Sequence, residues 1–287
     1  MMEENKVITG QRFGEERALY GLRGATVERC TFAGAEDGES ALKECRALTV
    51  RDCAFSLRYP LWHCAGFILS DSTMDEDVRA PLWYSTDGRI LFCSLRGVKC
   101  LRECAGISLD HCTVESKEFG WRCRDVSIAD STVTSEYFLF ETSGASVRNL
   151  KMKGKYSFQY VENVTVEDSF LDTKDAFWHS KNVTVRNSVI RGEYLGWYSE
   201  NLTLIGCTIL GTQPLCYCRG LRLVDCTTEG CDLAFEYSDV EATVRGDILS
   251  VKNPRSGCIA ADGIGEVIRD GAVIDTDCKI LIRGKEV

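Results

Sequence analysis

The chain has 287 residues, with 34 Lys and Arg against 43 Asp and Glu, a formal net charge of −9 and 44% hydrophobic residues. This acidic balance argues against a nucleic-acid partner, whose affinity would rest on clustered Lys and Arg. Four Pro with 25 Gly fit neither a disordered nor a collagenous chain. The opening Met1-Met2-Glu3-Glu4-Asn5-Lys6 has no apolar core and no stretch approaches 18 uncharged apolar residues. Neither a secretory signal nor a membrane span is therefore expected, and a cytoplasmic location is.

In chain order one short unit keeps returning. It reads Leu48-Thr49-Val50-Arg51-Asp52-Cys53, Ile107-Ser108-Leu109-Asp110-His111-Cys112 and Val126-Ser127-Ile128-Ala129-Asp130-Ser131. It continues as Val164-Thr165-Val166-Glu167-Asp168-Ser169, Val183-Thr184-Val185-Arg186-Asn187-Ser188 and Leu202-Thr203-Leu204-Ile205-Gly206-Cys207. The last position recurs every 19 residues from Cys93 through Cys112, Ser131, Leu150, Ser169, Ser188 and Cys207 to Cys226. Upstream members are Cys30, Cys53 and Ser72, and the step from Ser72 to Cys93 is 21, which places an insertion near Asp75-Glu76-Asp77.

A second ladder runs in phase: Cys45, Cys64, Ser85, Cys104, Cys123, Thr142, Val161, Ser180, Ser199, Cys218. Two residues after each stands Gly, Asn or Asp, except for Ala47, and these are the residues that tolerate a left-handed corner. Short alternating segments between three corners per repeat predict an all-β fold, a single-stranded right-handed parallel β-helix with 19-residue coils. Helical repeats need longer units and fewer β-branched runs. One domain over 1–287 is expected, with an N-terminal cap at 1–24, coils over 25–245 and a C-terminal cap at 246–287, since terminal coils must shield open strand edges.

The 16 Cys fit this solenoid as small, reduced interior residues. Zinc would want paired Cys or Cys/His clusters, yet the close pairs Cys100/Cys104 and Cys216/Cys218 lie away from His63, His111 and His179. Gly154-Lys155 and Gly284-Lys285 lack the rest of a phosphate-binding loop. No metal and no cofactor is expected.

All five Trp share one column, Trp62, Trp83, Trp121, Trp178 and Trp197. The next column carries Glu44, His63, Tyr84, Glu103, Arg122, Glu141, Tyr160, His179, Tyr198 and Tyr217, a set that must face solvent. Strict alternation turns the Trp column inward and leaves Leu61, Leu82, Leu101, Leu139 and Leu215 as an outer stripe. A corner after the Trp reverses both. The first arrangement closes three five-residue sides more naturally and is the expectation preferred here.

Segments such as Arg58-Tyr59-Pro60-Leu61-Trp62-His63, Gly154-Lys155-Tyr156-Ser157-Phe158-Gln159-Tyr160 and Asp175-Ala176-Phe177-Trp178-His179 carry a resemblance, as do Gly192-Glu193-Tyr194-Leu195-Gly196-Trp197-Tyr198 and Gly211-Thr212-Gln213-Pro214-Leu215-Cys216. Over nearly its full length the chain resembles bacterial domain-of-unknown-function family 3737. The resemblance implies a right-handed β-helix in an intracellular bacterial protein and implies no catalytic residue.

Two functions are expected to compete. In the first, the Tyr/His/Glu face binds a carbohydrate-like or other small polar ligand through Tyr160, Tyr198, Tyr156, Tyr194, Lys155, Glu103 and His63. His179, Glu141 and Asp175 are the weak candidates for chemistry, which would need two carboxylates across a glycosidic bond or a base beside a cation. An enzymatic role of lyase, hydrolase or isomerase type is left open. The alternative is a non-catalytic scaffold whose apolar stripe closes a homo-oligomer or docks a partner.

Overall fold

The computed structural model describes residues 6–35 and 38–287; residues 1–5 of the expected N-terminal cap lie outside them. The chain is an all-β parallel β-solenoid of about 14 turns spaced roughly 19 residues apart. Among the described residues there is no helix, hence none long and apolar enough to cross a membrane. Two compact units divide the chain, Met1–Ser146 and Val147–Val287.

In the first unit Lys6–Thr9 pairs in parallel with Ala25–Glu28, Lys6 opposite Ala25, and Arg12–Phe13 pairs with Thr31–Phe32. Residues 6–24, expected to leave the period, thus already run in coil register, with Ile8 and Phe13 buried. Phe13, Phe32 and Phe55 stack through the core at 5.3 and 4.7 Å. The insertion at Asp75-Glu76-Asp77 stands where the ladder put it: Met74 lies opposite Leu95, whereas Arg79 lies opposite Val98.

In the second unit Glu162–Glu167, Lys181–Arg186 and Glu200–Ile205 stack in unbroken register. Beyond Cys226 the coils change length instead of ending. Asp239 pairs with Ser256, Asp247 with Gly263 and Cys258 with Lys279. An antiparallel turn, Ile282 opposite Lys285, finishes the chain.

Corners and ladders explain each other. All ten residues of the Gly/Asn/Asp column, Ala47 included, have positive φ, between 51° at Ala47 and 67° at Gly144. The residue just before each position of the first ladder does too, for example Asp52 before Cys53 at 53° and Asn187 before Ser188 at 48°. After this second corner, and after the left-handed residue just before the second ladder such as Arg122 at 54°, the next N–H points into the core, where it would be left unpaired at a cost of about 1–3 kcal/mol. The ladder hydroxyl one coil on accepts it. Cys112 N–H donates to Ser131 Oγ at 3.0 Å, Ser169 N–H to Ser188 Oγ at 3.0 Å, and Cys123 N–H to Thr142 Oγ1 at 3.1 Å. These Ser, Thr and Cys side chains are buried, as the ladders require. All 16 Cys are unpaired and all but Cys258 are buried. Burial pushes several of these thiols up, to about 11 at Cys53 and about 12 at Cys93.

The preferred orientation of the Trp column is corrected. Leu61, Leu82, Leu101 and Leu139 in the first unit, and Phe158, Phe177 and Leu215 in the second, are 0% exposed. The five Trp are half-buried and face outward. The cause is the residue between each Trp and its ladder position. His63 has φ 58° between Trp62 and Cys64, and His179 has φ 53° between Trp178 and Ser180. Alternation holds for extended backbone; a left-handed residue turns the chain, so neighbours two apart face opposite ways. The aliphatic outer stripe therefore does not exist.

Candidate functional site

Within the second unit, Tyr160, His179, Tyr198 and Tyr217 stand at left-handed corners with φ of 55°, 53°, 59° and 60°. Coil stacking brings their rings face to face. Tyr160 and His179 lie 4.9 Å apart at 7°, His179 and Tyr198 5.0 Å at 8°, and Tyr198 and Tyr217 4.8 Å at 12°. The ring faces cover one another, so what the column offers outward is ring edges and hydroxyls. Such a stack donates and accepts hydrogen bonds; it is no platform for a sugar face.

Behind it Trp178 and Trp197 stack at 5.3 Å and 2°. Their indole N–H groups donate to the Tyr194 and Gln213 carbonyls at 2.5 and 2.8 Å. Gln159 Nε2 does the same for the Asp175 carbonyl at 3.0 Å. This line of donors closes the left-handed corners at Asp175, Tyr194 and Gln213, and Tyr194 packs edge-on against Trp197 at 5.2 Å.

The stack ends in a cleft of about 380 Å³, walled by the edges of His179, Tyr198, Tyr217 and Tyr237 and by Glu200, Arg219, Arg255 and Ile274. Its far wall is anchored firmly. Arg255 grips the Asp239 carboxylate through Nε at 2.5 Å and through Nη2, and Ser256 Oγ donates to the same carboxylate at 2.7 Å. Asp239 is accordingly held below the usual carboxylate range. The Val273 N–H donates to Tyr237 Oη at 3.1 Å, tying the C-terminal segment to the rim. Tyr217 is pushed up to about 12 by burial and by Glu236, which in turn binds Lys252 at 2.8 Å.

Of the residues singled out from sequence, Tyr160, His179 and Tyr198 come together here. Tyr156 and Tyr194 lie half-buried at the neighbouring corner, with Lys155 4.5 Å above the Tyr156 ring and Lys174 5.0 Å above Tyr194. Glu141, Glu103 and His63 belong to the first unit. There Glu141 accepts Arg122 Nε at 2.6 Å, Glu103 lies 3.5 Å from Arg102, and His63 packs on Tyr84 at 5.1 Å. Sequence reasoning missed Glu200, Tyr237, Arg219, Arg255 and Ile274. The last two come from the aperiodic end, where no column reveals a neighbour.

Asp175 is only 7% exposed and its Oδ1 has no partner. Burial raises its carboxyl above the ordinary value, against the opposing fields of Lys174 and Lys155. A carboxyl raised in this way favours the fold below its unfolded value near 3.9, and that contribution is lost as pH rises through the folded value. Asn tolerates the φ of 52° at this corner. Asp175→Asn is therefore expected to stabilise the protein at pH 7 by on the order of 1 kcal/mol, with the gain gone near pH 3.5. Thermal melts at the two pH values check this; an equal change at both contradicts it.

In the first unit Asp110, His111 and Asp130 bring possible metal-ligand atoms within 4.8 Å of one another, with His111 Nδ1 bonded to Asp110 at 2.8 Å. Among the described residues this is the group able to hold a metal ion. It is assembled purely by coil stacking at an exposed corner.

Fold and cleft together define a parallel β-solenoid with a polar, tyrosine-edged cleft. The chain belongs to the family of proteins of unknown function DUF3737, whose model matches residues 6–281. No curated protein matches it. Among solved structures it is similar to the A-module of the Azotobacter vinelandii mannuronan C-5 epimerase AlgE6, at 10% identity over 96% of this chain and 90% of that one, TM-score 0.43. It is also similar to HetL, a pentapeptide repeat protein of the cyanobacterium Nostoc, at 10% identity over 82% and 92%, TM-score 0.26. The catalytic domain of a GH87 alpha-1,3-glucanase matches at 7% identity over 96% and 64%, TM-score 0.30. Likenesses this distant carry no argument about ligand or activity.

Proposed function

We propose that the protein binds a small, hydroxyl-rich, carbohydrate-like ligand in the cleft at the end of the Tyr/His stack. The observation that carries this reading is the cleft itself. Four aromatic edges with polar atoms, two Arg and one Glu converge on about 380 Å³, within the range of small-molecule sites. The stack is rigid because each ring is held by its neighbours, which lowers the ordering cost of binding. The competing scaffold reading leaned on an outer Leu/Phe stripe; that column is buried, and the half-buried Trp column stands outward in its place.

The test is calorimetric titration of the full chain with monosaccharides, repeated with Tyr198→Ala. Tyr198 is 45% exposed, so its removal leaves the core intact. A measurable affinity that falls about tenfold in the variant is expected. An affinity untouched by Tyr198→Ala, with folding intact, moves the site elsewhere.

A further inference from the structure

We infer that the ligand of this cleft carries an anionic group, a carboxylate or phosphate on a ring-sized hydroxylated molecule, and that Arg219 is its anchor. The inference rests on the cleft being the binding site. Its ground is the charge left over once every pair around the cleft has been formed. Glu200 lies 4.0 Å from Lys181. Arg255 is taken by Asp239, and Glu236 by Lys252. Arg219 lines the cleft and is exposed, and its guanidinium makes no hydrogen bond or ion pair among the described residues.

The carboxylate that feels its field, Asp239, already accepts from Arg255 and Ser256. A protein of net charge −9 repels anions at long range. An unbalanced guanidinium inside a concave, tyrosine-edged site stands out against that background. A guanidinium presents a planar fork that matches carboxylate and phosphate oxygens two at a time. The Tyr198 and Tyr237 edges beside it can serve the ligand's hydroxyls.

The experiment titrates the full chain with D-glucose, D-glucuronate and D-glucose 6-phosphate at one fixed ionic strength, then repeats the series with Arg219→Gln and Arg219→Lys. At least one of the two anionic sugars is expected to bind about tenfold or more tightly than glucose. Their order tells carboxylate from phosphate. Arg219→Gln is expected to lower the affinity for the preferred anionic sugar about tenfold, so that its advantage over glucose disappears; Arg219→Lys, which keeps the charge and loses the fork, retains part of it. Equal binding of all three sugars overturns the inference and leaves the cleft reading standing. No binding of any of them overturns both. An anion preference that survives Arg219→Gln in a folded variant overturns Arg219 as the anchor.

Discussion

Phe177→Ala is expected to remove about 3–5 kcal/mol of stability, among the largest losses available to a single side chain here. Phe177 is 0% exposed and stacks on Phe158 at 4.8 Å and 14°. It also holds a left-handed corner at φ 62°, so its ring is what compensates a strained backbone. Further along the same column Gly196 leaves room for Leu215, whose Cδ2 lies 2.9 Å from where a Cβ would stand. Large rings and a glycine thus share one narrow, close-packed interior, which relaxes only partly around a missing ring. Phe177→Leu, which keeps most of the volume, should cost roughly 1–2 kcal/mol. Urea unfolding followed by Trp fluorescence separates the two. Similar midpoints for both variants would mean the core repacks freely.

Gly192→Ala is expected to cost more than about 2 kcal/mol, through the backbone alone. Gly192 has φ 150°, and a Cβ there would lie 1.9 Å from the Thr173 carbonyl oxygen. That oxygen is part of the backbone of the adjoining coil, so no rotamer change can move it aside. The following coil repeats the arrangement, a Cβ at Gly211 falling 2.0 Å from the Gly192 carbonyl oxygen. Gly230→Ala is the control. At φ 64° with nothing within 4 Å, it should carry only the left-handed conformational cost of about 1–2 kcal/mol. Melting temperatures of the two variants measure the difference, and equal losses would show that the close approach between coils does not matter.

The 19-residue ladder of Cys and Ser, the Gly/Asn/Asp corners and the insertion at Asp75-Glu76-Asp77 were all readable from residue types. Each is set by a local rule repeated many times: a small buried side chain, a tolerated positive φ, a step of constant length. Repetition makes such signals additive, so the solenoid was legible before any coordinate. The direction of Trp62 or Trp178 was not. It depends on the backbone of one intervening residue: His63 and His179 adopt a left-handed conformation that is uncommon outside Gly, though His tolerates it better than most, and the stacked coils enforce it. The same limit applies to the cleft. The column Tyr160, His179, Tyr198 could be aligned by counting, yet whether its rings offer faces or edges follows from centroid spacings near 5 Å that only stacking produces. Arg255 and Ile274 sit where the period has lapsed, and their place beside Tyr198 and Arg219 was decided by how the last coils fold back, a long-range outcome that no local pattern encodes.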